Sequence, residues 1–159
     1  MHTVIPELGL LALIIALGVA LVQGVLPLLG AHQGRAAWIA VARPAAWAGG
    51  GLLTFAFLCL ATSFALNDFS VLYVAQHSNT LLPMQYRLAA TWGGHEGSLL
   101  LWALMLSLWT LAVAVFSRQL PDAMVARVLG VLGLVQVGFL LFILLTSNPF
   151  LRLLPAADE

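Results

Sequence analysis

Four long apolar runs set the pattern of this chain. They cover about Leu8 to Leu29, Trp47 to Leu66, Leu99 to Phe116 and Val128 to Thr146. Each approaches the roughly 20 apolar residues that cross the hydrocarbon core of a bilayer. The runs are continuous rather than alternating, so they predict helices and not barrel strands; a helix satisfies its own backbone in lipid. The expected fold class is all-α, a polytopic membrane helical bundle of about four transmembrane helices, with residues 1–159 forming one membrane domain. The second and third runs are separated by residues 67–98. Ordinary connections run to about 4–6 residues, and much longer ones tend to be functional or disordered.

Composition sharpens this reading. The 159 residues are 62% hydrophobic and only 8% charged, against roughly 25% charged in a soluble domain. So little charge cannot clothe a soluble surface. Lysine is absent, and six arginines balance six acids, so no basic patch points to nucleic acid. The single cysteine, Cys59, lies inside an apolar run and has no internal disulfide partner. Neither a CxxCH nor a zinc-type cysteine spacing is present. The opening MHTVIPELG lacks the positive n-region of a secretory signal, so the first run is expected to be retained.

Arginine placement predicts orientation. Arg35 and Arg43 lie between the first two runs, Arg118 and Arg127 between the last two, and Arg87 and Arg152 fall on the other side. Four against two in short loops makes the first set cytoplasmic. The N-terminus, residues 67–98 and the C-terminus then face outward, into the periplasm if the membrane is a bacterial inner membrane. Trp38, Trp47 and Trp92 fall near predicted span ends, where interfacial tryptophans gather. In the first helix Ala12, Ala16, Ala20 and Gly24 recur every fourth residue, a face on which another helix can approach closely. Gln23 and Gln136 can hydrogen-bond between helices, at about 0.6 kcal/mol per bond in membranes. The ending SNPFLRLLPAADE has no compact unit of its own and is expected to be a linker.

Candidate chemistry concentrates in the 67–98 segment and the start of the third helix. This stretch holds His77, His95, Glu96, Tyr73, Tyr86, Trp92 and Trp102. Phe69 to Val74 are apolar enough to pack on the membrane surface, Ser78-Asn79-Thr80 predicts a turn, and Met84 to Thr91 a short interfacial helix. In WGGHEGS, three glycines permit φ > 0 or a close backbone approach. Ser98 is placed to cap the third helix, and Glu96 suits its N-terminal dipole. From His95 onward, Leu99 and Trp102 follow on one helical face. His95 can be read as a metal or haem ligand, a proton-transfer group, or a structural hydrogen-bonder paired with Glu96 or a carbonyl. HEGSL is not HExxH, which excludes a zincin site. His77 is expected to be exposed, and His2 and His32 carry no signal. No nucleophile–base pair, P-loop or dinucleotide fingerprint is present, so no catalytic residue is assigned.

The stretch YVAQHSNTLLPMQYRLAATWGGHEGSLLLW closely resembles the CcmF/NrfE family of cytochrome c-type biogenesis proteins. PELGLLALIIALGVALVQGVLPLLGA and SNPFLRLLP resemble the N-terminal region of the same family, so the likeness runs from Ile5 to about Pro155. The resemblance implies a polytopic protein of the haem lyase step of system I cytochrome c maturation. There, haem arrives on a periplasmic haem chaperone and is ligated to the CxxCH thiols of apocytochrome c. The complete family member also holds a haem b. Family members are several times longer, and their tryptophan-rich haem-handling segment and haem-ligand histidines are not in this sequence. The chain is therefore expected to be the N-terminal portion of such a protein, or one polypeptide of a split one, partnered by the remainder. On this resemblance Trp92, His95, Glu96 and Trp102 are expected to support a haem site, with the chain itself binding neither haem alone nor a metal. The alternative is a non-catalytic scaffold or docking module of the cytochrome c assembly complex.

Overall fold

The structure, a computed structural model, describes residues 4–153. His2, Pro155 and the rest of the tail from Leu154 to Glu159 lie outside the described residues. In chain order the helices are α1 Ile5–Gln33, α2 Ala36–Ile39, α3 Ala42–Ala65, α4 Leu72–His77, α5 Met84–Ala90, α6 His95–Phe116 and α7 Asp122–Thr146. Among the described residues there is no strand, only one isolated antiparallel bridge between Val71 and Arg152. α1, the α2–α3 stretch, α6 and α7 are each long and apolar enough to cross a membrane. They run alternately up and down. The end that carries residues 67–98 is the upper end below.

The spanning helices are longer than the apolar runs predict. α1 starts three residues before Leu8, with Pro6 and Glu7 in its first turn; proline suits the first helical turn, and an acid suits the dipole. It continues through Pro27 to Gly34, whose φ of 70° closes the helix by donating its N–H to the Gly30 carbonyl. α3 begins at Ala42, before Trp47, and so takes in Arg43. Polar residues mark where a helix leaves the apolar core, not where its hydrogen bonds stop.

α1 is the central helix, packed most extensively on α7 and α3, while α6 closes the bundle against α3 and α7. Ala12, Ala16 and Ala20 are buried in the main core with Leu13, Leu53, Leu60, Phe64, Leu100 and Leu140. Gly24 faces Leu134 of α7. A second core at the lower end gathers Ala42, Ala46, Ala114, Val125, Ala126 and Leu129. The outer faces are apolar and open, with Trp109 and Leu145 largely exposed. Such faces suit lipid or further helices.

At the lower end arginines satisfy helix C-termini, where carbonyls lack partners. Arg43 donates to the Ala114 carbonyl and, at 3.2 Å, to the Ser117 carbonyl beyond α6. Arg127 donates to the Ala31 carbonyl of α1 at 3.3 Å. The Arg35 guanidinium lies 4.4 Å above the Trp38 ring, a cation–π contact.

Candidate functional site

Residues 67–98 fold down onto the bundle. Phe69 to Val74 do not lie on the membrane surface as expected: Val71, Tyr73 and Val74 are buried in the main core. The cause is the turn that follows α3. Asn67 adopts a positive φ of 51°, which a short polar side chain tolerates, and the chain reverses over the helix ends. Tyr73 then stacks edge-on against Phe64, with ring centroids 5.3 Å apart. Asn79 Oδ1 accepts the Leu81 N–H at 2.9 Å and forms the turn that leads to α5.

Tyr73 is the anchor of the glycine-rich turn. Its hydroxyl accepts the Gly94 N–H at 2.9 Å and lies 3.2 Å from both the Ala90 and Thr91 carbonyls, to which it donates. Burial pushes the Tyr73 phenol up from its ordinary range, so it stays neutral and keeps the proton this bond needs. None of Gly93, Gly94 and Gly97 has a positive φ. Gly94 and Gly97 serve close approach instead. A Cβ on Gly94 would lie 2.6 Å from the Tyr73 ring, and one on Gly97 would lie 1.8 Å from the Thr91 carbonyl oxygen.

α6 starts at His95 with Gly94 as its N-cap, so Ser98 is not the cap. It sits one turn inside, and its hydroxyl reaches back to donate to the Trp92 carbonyl at 2.7 Å. Trp92 is exposed on the turn. His95 is exposed at the first position of α6, and Glu96 beside it is half-buried. The contact of His95 is with α7: its Nδ1 lies 3.3 Å from Ser147 Oγ, and its ring meets Phe142 edge-on at 6.4 Å. Trp102, two turns below His95, is 60% exposed and faces away from the core. The turn thus groups Trp92, His95 and Glu96 at the upper end, with Trp102 on the outer wall beneath them. His77 is also exposed, its Nδ1 3.0 Å from the Tyr73 carbonyl and its ring 4.5 Å from the Tyr73 ring.

The second feature of this end is a charged clasp. Residues 150–153 are not a free linker. Phe150 is buried against Gly9, the Leu72 N–H donates to the Leu151 carbonyl at 2.9 Å, and the Leu153 N–H donates to the Ser70 carbonyl at 2.7 Å. Arg152 reaches Glu7 of α1 through two bonds, Nε to Oε1 at 2.7 Å and Nη2 to Oε2 at 2.8 Å. Its Nη1 also donates to Ser70 Oγ and lies 3.5 Å from Asp68 Oδ2. Asp68 is buried and accepts the Ser70 N–H at 3.2 Å. The Glu7 hydrogen bond holds the Arg152 guanidinium firmly protonated. One cation thereby ties the start of α1, the turn after α3 and the segment after α7. Sequence reasoning used Arg152 only to assign topology and passed over Asp68. The available signal was an acid just after α3 and an arginine just after α7, at the same end of the bundle.

The resemblance to the CcmF/NrfE family implies haem, and the donor set can be compared with it. Among the described residues, no three His, Cys, Asp or Glu side chains converge. His95 and His77 are each held by their own neighbours, Ser147 and Tyr73, rather than joined in one site.

Four apolar spanning helices with a folded polar platform at one end define a multi-pass membrane protein. No protein-family model matches the chain. Over 151 residues it is 61% identical to the cytochrome c-type biogenesis protein CcmF of Pseudomonas aeruginosa, covering 95% of this chain and 23% of that protein. It is 56% identical over 150 residues to CcmF of Escherichia coli, covering 94% and 23%. It is 43% identical over 155 residues to NrfE of Haemophilus influenzae, covering 98% and 24%. A solved cytochrome c haem lyase CcmF superposes with a TM-score of 0.87 at 31% identity, over 94% of this chain and 25% of that one. The chain belongs to the CcmF/NrfE family of cytochrome c-type biogenesis proteins. It spans about a quarter of the length of the curated relatives it matches.

Proposed function

We propose that this chain is the N-terminal portion of the membrane haem lyase of system I cytochrome c maturation, and that its upper end faces the periplasm. The observation that carries this reading is the folded platform of α4, α5 and the glycine turn, which offers Trp92 and His95 to solvent from a fixed backbone. A rigid exposed indole beside an imidazole suits contact with a flat apolar ring bearing polar edges. In this reading haem is the cargo, delivered by a periplasmic haem chaperone and ligated to apocytochrome c thiols. The resident haem b and its histidine ligands belong to the remainder of the lyase. Trp92, His95 and Glu96 form one wall of the site, and Trp102 lines the face where the remainder packs. The membrane is a bacterial inner membrane. Orientation is supported by Arg35, Arg43, Arg118 and Arg127 at the lower end against Arg87 and Arg152 at the upper.

The test is His95→Ala and Trp92→Ala, separately, in the complete lyase in cells that depend on it for c-type cytochromes. The expected result is a several-fold fall in covalent haem on cytochrome c, with the lyase still present in the membrane at its normal level. Unchanged cytochrome levels in both variants would sink the proposal.

A second reading is a scaffold that braces the lyase or recruits assembly partners. The close packing of α1 on α7 through Gly24, Gly130 and Gly133 favours it. It predicts the opposite pattern: indifference to His95 and Trp92, and loss of cytochrome when the small-residue face of α1 is enlarged.

A further inference from the structure

A small cavity with one polar wall lies where α1, α3, α6 and α7 meet. Its volume is about 20 Å3, and its polar wall is Gln23 of α1, Ser107 and Thr110 of α6, and Gln136 of α7. All four are more than nine-tenths buried. Each amide commits one N–H, and each hydroxyl its proton, to a helix carbonyl. Gln136 Nε2 donates to the Ala103 carbonyl at 3.1 Å and Gln23 Nε2 to the Leu129 carbonyl at 2.8 Å. Ser107 Oγ donates to the Leu104 carbonyl and Thr110 Oγ1 to the Leu106 carbonyl, both at 2.9 Å. These bonds fix the amides, because flipping either would set oxygen against oxygen. What the two hydroxyls retain is lone pairs. Among the described residues Gln136 Oε1 is buried and meets no donor, a costly state away from bulk water.

We infer that this cavity is a binding site for one ordered water molecule. About 10–15 Å3 is enough for a water, provided two to four polar partners surround it. A water supplies two donors: one to Gln136 Oε1, the other to the hydroxyl oxygen of Ser107 or Thr110. It bridges α6 and α7 across the space left by Ala16 and Ala20 of α1. A bare cation is the poorer occupant, since no carboxylate lines the cavity and its oxygens are too few to replace a hydration shell. The site is independent of the upper platform and of any haem.

The experiment is a density map of the complete protein in lipid nanodiscs, at a resolution that shows ordered waters, repeated with rubidium in place of sodium. The expected result is one peak within hydrogen-bond range of Gln136 and one hydroxyl, the same in both salts. Gln136→Met, which keeps the side chain's volume and removes the acceptor, is expected to lose the peak. An empty or collapsed cavity in the unaltered protein overturns the inference, as does a peak that strengthens with rubidium. The unaltered protein decides alone if the variant does not fold.

Discussion

Gly97 lies against the backbone of Thr91, six residues earlier, so closely that a Cβ there would sit 1.8 Å from the Thr91 carbonyl oxygen and 2.6 Å from the Tyr73 hydroxyl. The obstacle is main chain, which cannot rotate aside. Gly97→Ala must therefore push the turn off α6 and break the Tyr73–Gly94 bond. Overpacking typically costs about 1–3 kcal/mol and sometimes more, and this contact belongs at the upper limit. Gly93→Ala is the control, since its nearest contact would be an ordinary 3.5 Å. Thermal unfolding of the two variants in detergent should show a large drop for the first and little change for the second.

The clasp at the upper end predicts a ranking. The Glu7 side chain is 51% exposed, whereas that of Asp68 is 2% exposed. Removing Arg152 takes the cation from a buried carboxylate, a loss of about 3–5 kcal/mol where a buried pair is broken. Removing the charge of Glu7 breaks a solvent-screened pair worth about 0–1 kcal/mol. Arg152→Ala should thus destabilise far more than Glu7→Gln. It should also free residues 150–153, read as faster amide exchange at Leu72 and Leu153. Equal effects from the two variants would mean that Asp68 does not depend on Arg152.

Tyr73 predicts an alkaline limit. Burial raises its pKa in the fold, while the unfolded chain titrates near about 10. A raised pKa means that the unfolded state gives up its proton first. The stability this group contributes is complete below the unfolded pKa and is lost as pH rises toward the folded value. Tyr73→Phe should be less stable at neutral pH, through loss of the Gly94 and Thr91 bonds, and should show a flatter decline in alkali. Unfolding midpoints of both proteins across the alkaline range provide the comparison.

The four spanning helices were legible because lipid imposes continuous apolar runs, and nothing else in the chain competes with that signal. The α5 helix was legible from the polar turn before it, and the structure ends it at Ala90. The fate of Phe69 to Val74 was not, because an apolar segment reads alike whether it meets lipid or protein. Ser98 was misplaced as a cap because the apolar run begins at Leu99, whereas the backbone turns helical at His95. The ties of Arg152 to Glu7 and Asp68 span 145 and 84 positions, a relation no local pattern carries. Trp92, His95 and Glu96 could be singled out by residue type, but not the role of Tyr73, twenty-one positions before Gly94.

The α1–α7 contact yields the prediction that separates packing from propensity. A Cβ on Gly133 would lie 2.9 Å from the Gly24 backbone nitrogen and 3.1 Å from Gln23 Cβ, whereas one on Gly138, five residues on, meets nothing within 4 Å. Both glycines sit inside α7. In helix propensity alone alanine exceeds glycine by about 1 kcal/mol, so propensity predicts that both replacements help. Packing predicts a split, because membrane helices associate through close backbone approach where side chains are small. Gly133→Ala should lower the unfolding midpoint and Gly138→Ala should leave it level or raise it. The Gly133 change should also weaken the Gln23–Leu129 bond beside it, visible as faster exchange of the Gln23 side-chain amide. If both variants gained stability, the two helices would have to sit farther apart than the Gly24–Gly133 approach places them.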